Sequence, residues 1–130
     1  MGIWRSVSLT FAVAIGFASP AAYPADSDTE AVARLRQEIA TVISQASWCR
    51  NIVNCRVIGL GARPCGGPEE YVAFSIWNNT GDELRNLVTE YNLLKEELML
   101  DSDEVGTCEV LPKPNANCVQ SRCVVMPAAN

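Results

Sequence analysis

The chain has 130 residues, six cysteines, no histidine and a formal charge of −5, from ten Lys and Arg against fifteen Asp and Glu. Without histidine there is no His-based triad, no His-liganded metal and no imidazole general base. The acidic balance argues against a nucleic-acid binder and against an anionic membrane surface as the main partner. The length allows one domain with one modest core.

Residues 1–21 read as a secretory signal peptide. Arg5 supplies a short positive start, residues 7–18 are apolar apart from Ser8 and Thr10, and Ser19, Pro20 and Ala21 follow. The apolar run is shorter than the roughly 20 residues that span a bilayer. Charged start, apolar middle and small-residue end are the order of a cleaved export signal. Cleavage is expected after Ala21, with Ala22 or Ala25 as alternatives. That leaves residues 22–130 as a single disulfide-rich α+β domain of formal charge −6, periplasmic or secreted, with no integral membrane segment. All six cysteines lie in it. An even count in a small exported domain implies a disulfide framework. Zinc sites favour Cys-x-x-Cys pairs, and the sequence has none.

In chain order the first element is a helix over residues 28–47. Ser27-x-x-Glu30 is a capping-box pattern. Val32, Leu35, Ile39, Val42, Ile43 and Ala46 then form one apolar stripe. Residues 55–60 are short and β-branched, a strand. Residues 62–70 hold Pro64, Gly66, Gly67 and Pro68 and read as a tight loop. Residues 71–77 read as a central strand covered by helices, because bulky side chains fall on both faces. Asn78, Asn79, Thr80 and Gly81 form a turn that includes a glycosylation triplet, and Thr80-x-x-Glu83 is a second capping box. Leu84, Leu87, Val88, Tyr91, Leu94 and Leu98 mark a helix over residues 82–98. Residues 108–111 and 123–126 read as short strands, separated by an irregular connection with Pro112 and Pro114. The expected fold is α+β, two amphipathic helices packed on a small, mostly antiparallel, disulfide-stapled sheet.

Few motifs carry chemistry. Asp101, Asp103 and Gly106 resemble the opening of a calcium-binding loop, but Val105 and Pro112 stand where oxygen ligands are required. Glu69 with Glu70, and Glu96 with Glu97, are adjacent acids that point in different directions. Ser75 has no histidine and no Gly-x-Ser-x-Gly elbow. No catalytic, cofactor-binding or metal-binding residue is assigned, and no cofactor is expected. The segment Arg63, Pro64, Gly66, Gly67, Pro68 and Tyr71 is the candidate contact loop. Its glycines allow unusual dihedrals, Cys65 pins it, and Arg63 is expected to be exposed, as in many small protease inhibitors.

Cys65-Gly-Gly-Pro68, then Tyr71, then Phe74-Ser75, with Ser102, Cys108 and the closing Cys118 and Cys123, resembles a group of small exported bacterial proteins. These share a Cys-Gly-Gly-Pro…Tyr…(Tyr/Phe)-Ser signature. The resemblance spans about residues 49–126, and Ser102 stands farther from Cys108 than the pattern places it. It implies bacterial export and disulfides, and it transfers no catalytic residue.

Six cysteines allow fifteen connectivities. If the first and last strands are adjacent, Cys55 meets Cys123. Cys49 after the first helix pairs with Cys65 in the returning loop, and Cys108 pairs with Cys118 across the proline-rich connection. The functional expectation is a non-enzymatic exported binding or structural protein, with another envelope or extracellular protein as partner and no nucleic acid. The first alternative is an inhibitor of a secreted hydrolase, a protease or lysozyme, that uses the 63–68 loop. The second is a small enzyme of unrecognised type.

Overall fold

A computed structural model describes residues 26–102, 105, 106 and 108–128. The expected signal segment lies outside them, as do Asp103, Glu104 and the last two residues. The elements are α1 (Asp26–Gln45), a short 3₁₀ turn (Ile52–Asn54), β1 (Cys55–Leu60), β2 (Glu70–Ser75), α2 (Thr80–Asp101), β3 (Asn115–Val119) and β4 (Arg122–Met126). The fold is α+β, with two antiparallel hairpins, β1–β2 and β3–β4, in place of one sheet.

The molecule is built in three layers around β1–β2. On one face α1 contributes Leu35, Ile39, Val42 and Ala46, and α2 contributes Leu84, Val88 and Tyr91. Leu60 and Phe74 of the hairpin complete that core, with Ile58 and Val72 partly buried against it. The other face of the same strands carries Cys55, Val57 and Ala73, which pack with Cys49, Ala116, Cys118 and Cys123. Side chains alternate between the faces of a strand. The bulky residues on both faces of β2 are therefore covered by helices on one side and by the second hairpin on the other. Each fully buried aliphatic side chain contributes about 1.5–3 kcal/mol.

Several local expectations are corrected. α2 starts at Thr80 with Asn79 as its first flanking residue and no side-chain cap, so Thr80 is helical and makes no capping box. α1 starts at Asp26, which puts Ser27 inside the helix. β2 ends at Ser75, so Ile76 and Trp77 leave the strand and are exposed. Leu87 and Leu94 are half-buried. Residues 108–111 form no strand; Asn115–Val119, read from sequence as part of an irregular connection, is the partner of β4. The turn between β3 and β4 has Gln120 and Ser121 at φ 49° and 61°. Two consecutive positive φ values give a turn whose twist matches the strands, but glycine or asparagine normally marks it.

The disulfides are Cys49–Cys118, Cys55–Cys123 and Cys65–Cys108, with Cα separations of 6.0, 5.4 and 5.0 Å. The expected Cys49–Cys65 and Cys108–Cys118 pairs are corrected. In the β3–β4 register Cys118 lies opposite Cys123, so both project from one face of the hairpin, toward the residues around Cys49 and Cys55. Cys65 lies beyond the far end of β1, a strand about 20 Å long, and so stays out of reach of Cys49. It meets Cys108 on the segment that returns from α2.

Candidate functional site

The two ends of β1–β2 carry different surfaces. At one end is the 61–68 loop. Arg63 N–H donates to Gly67 O at 3.0 Å, and Gly66 N–H donates to Arg63 O at 2.9 Å. Gly66 and Gly67 have φ of 91° and 84°, a left-handed conformation that side chains resist. Asn92 of α2 holds the base of the loop: Gly61 N–H donates to its Oδ1 at 2.7 Å, and its Nδ2 donates to Gly59 O at 3.1 Å. Cys65–Cys108 closes the other side. A shallow groove of about 470 Å³ runs between the loop and α2.

Arg63, expected to be exposed, is half-buried. Its Nη1 donates to Glu109 O at 2.9 Å, so the guanidinium holds the return segment beside Cys108. The exposed tip is Pro64, Cys65, Gly66 and Gly67; Pro68 and Tyr71 are half-buried at the loop base. The adjacent acids beyond the loop diverge: Glu69 pairs with Lys95 of α2 at 2.9 Å, and Glu70 pairs with Arg36 of α1. They clamp β2 to both helices. Ser75 is buried, and its Oγ accepts from Trp77 N–H at 3.2 Å.

At the other end the chain leaves α1 and runs along the second hairpin. Cys49 N–H donates to Ser121 O at 3.0 Å and Cys123 N–H donates to Ser47 O at 2.7 Å, with a bridge between Trp48 and Arg122. The chain leaving β2 meets the same place, where Ile76 N–H donates to Asn54 O at 2.8 Å. Trp48 and Trp77 therefore stand together, ring centroids 5.7 Å apart and edge to face. The Arg50 guanidinium lies over both rings, 5.8 Å from Trp48 and 5.0 Å from Trp77. Trp48 and Trp77 are 46% and 52% exposed, with Ile52, Val53 and Ile76 also exposed. Exposed apolar residues scattered singly are ordinary, but two exposed tryptophans in ring contact under one guanidinium make a candidate contact surface.

Sequence reasoning missed this face. The pattern of residues 71–77 places Trp77 in a strand, and no motif singles out Trp48. The available signal was a tryptophan at the end of each of two elements, next to polar turn residues. The Sγ atoms of Cys49, Cys55 and Cys123 lie within 4.8 Å of one another, a spacing that suits a metal, but all three sulfurs are committed to adjacent disulfides.

No family model, no curated protein and no solved structure matches this chain. Among the described residues no helix is long and apolar enough to cross a membrane.

Proposed function

We propose that the chain is an exported, non-enzymatic binding protein whose disulfides hold a rigid contact face for another envelope or extracellular protein. The observation that carries this reading is the exposed Trp48–Trp77 pair under Arg50. Tryptophan and arginine are the residue types that dominate interface energetics. Here Trp48 and Arg50 flank the bridged Cys49, and Trp77 follows Ile76, whose N–H donates to Asn54 O; backbone held in this way lowers the ordering cost of binding. The lack of histidine, the buried Ser75 and the divergent pairing of Glu69 and Glu70 all accord with a non-catalytic role. Three disulfides accord with residence in the periplasm or outside the cell, and export accounts for residues 1–21. The test is a pull-down from the envelope fraction with wild-type protein and Trp48→Ala/Trp77→Ala. A partner captured by both equally, or a mature product still beginning at Met1, contradicts the reading.

The second reading is an inhibitor of a secreted hydrolase. The exposed, internally hydrogen-bonded tip at residues 64–67 favours it. Inhibition of a protease or lysozyme, lost when Pro64 and Gly67 are replaced, would establish it.

A further inference from the structure

We infer that the Trp48–Trp77 face receives an acidic protein surface, a partner segment with carboxylates set around an apolar side chain. This rests on the binding-protein reading above and deepens it. The chain as a whole is acidic, but the fold sorts its charges. Residues 46–57, 73–81 and 117–124, which build the stapled end, contain Arg50, Arg56 and Arg122 and no Asp or Glu. Among the described residues none of these three arginines forms an ion pair. Arg56 spends its Nη1 on the carbonyls of Val53 and Cys55, at 2.9 and 2.8 Å, which keeps its positive charge beside the exposed Val53. The bridge to Trp48 places the Arg122 backbone directly beside that tryptophan. Of the acids next along the chain, Asp82 is engaged by Arg85 at 2.6 Å, and Glu83 borders the groove between the helices.

The face thus has an apolar centre with basic side chains near it, and among the described residues no carboxylate pairs with them. That is the anatomy of a protein interface whose partner is apolar at its centre and acidic around it. The helical side of the molecule carries most of the acids and repels such a partner, so the charge distribution steers it to this end. A lipid surface offers the same negative charge. The protein partner is favoured because this face is fixed: both tryptophans lie just beyond the ends of α1 and β2 on segments tied to neighbouring backbone, and Arg50 spans them. A fixed, shaped face suits a shaped partner.

The test uses a random peptide library displayed on phage, selected against the disulfide-intact protein, with phosphatidylglycerol vesicles as a parallel probe. Enriched peptides should combine Asp or Glu with an aromatic or leucine. Their binding should weaken about tenfold or more with Arg50→Glu, and should weaken as salt is raised. Trp77→Ala should abolish it. If Trp77→Ala fails to fold, Arg50→Glu and Arg122→Glu decide alone, since both side chains are exposed. Enrichment of neutral or basic peptides, acidic peptides indifferent to Arg50→Glu, or vesicle binding without peptide binding overturns the inference. Peptides that bind the 63–68 loop and survive both arginine variants also overturn it, but leave the binding reading standing. No enrichment at either surface overturns both.

Discussion

Both ends of the β1–β2 hairpin are pinned by disulfides, yet the two ends are pinned for different ends. At the loop end the polar groups look inward. The Arg63 guanidinium donates to Glu109 O, Asn92 bonds Gly59 and Gly61, and the exposed surface is a small tip of proline and glycine around Cys65. At the stapled end two adjacent bridges are largely buried, and the side chains left outside are tryptophans, aliphatics and arginines that form no ion pair among the described residues. Pinning a loop costs it little exposed apolar area. Pinning the stapled end keeps an apolar face from collapsing into the core. Rigidity alone therefore does not distinguish a contact surface; what the rigid backbone displays does.

The largest effect separates the ends by removing the staples. Cys49–Cys118 and Cys55–Cys123 close loops of 69 and 68 residues. Either alone contributes about 4 kcal/mol, and the second adds about 3 because the first has already brought the segments together. Replacing all four cysteines with serine should cost about 7 kcal/mol, comparable with the whole stability of a small domain. Denaturant unfolding with near-ultraviolet circular dichroism should show loss of the tryptophan signal. A quadruple variant that keeps a cooperative transition would show that the second hairpin is held by packing alone. Under native conditions a small thiol should reduce the exposed Cys65–Cys108 first. Mass mapping that finds the buried bridges opening earlier contradicts the contrast.

The helices join the two ends, and burial grades their contribution. Leu84 is fully buried and Leu87 is not. Leu84→Ala should cost about 3–5 kcal/mol and Leu87→Ala about 1–2. Equal costs in chemical denaturation would place the α2 stripe differently against α1. At the loop, Gly67→Ala should cost about 1–2 kcal/mol through its positive φ. Its effect should stay local, with the tryptophan emission unchanged; a shift in that emission would mean the two ends are coupled. The smallest effect belongs to Arg50→Ala, about 0.5–1 kcal/mol from an exposed cation–aromatic contact. It should nevertheless change the fluorescence of Trp48 and Trp77. Unaltered emission would mean that the guanidinium does not rest on the rings.

Helix periodicity was legible because it is local. The stripes Leu35, Ile39, Val42, Ala46 and Leu84, Val88, Tyr91 face each other as their spacing predicts. β1 was legible from its β-branched run, and the glycine-rich loop from its composition. Boundaries were less so. Asn79 and Thr80 carry residue types that suit a cap, and only the direction of the incoming chain decides which of them starts the helix. β3 was hidden because Asn115, Asn117 and the nearby prolines look like a turn, and because its hairpin uses Gln120 and Ser121 where glycine is customary. The contact face had no periodic signature at all. Trp48 and Trp77 are 29 residues apart and belong to chain segments that meet only when β2 lies against the end of α1.

By itself the sequence determined the acidic, histidine-free chemistry, the export signal as an expectation, the two amphipathic helices and the need for disulfides. These follow from composition and from side chains close together along the chain. Only the tertiary structure decided which cysteines pair, what covers each face of β2, that Arg63 turns inward, and that Arg50 spans two tryptophans from distant segments of an acidic protein. Each of those is a distance between segments far apart in sequence, set by the packing of the hairpins and the register of β3 against β4, and no local pattern encodes it.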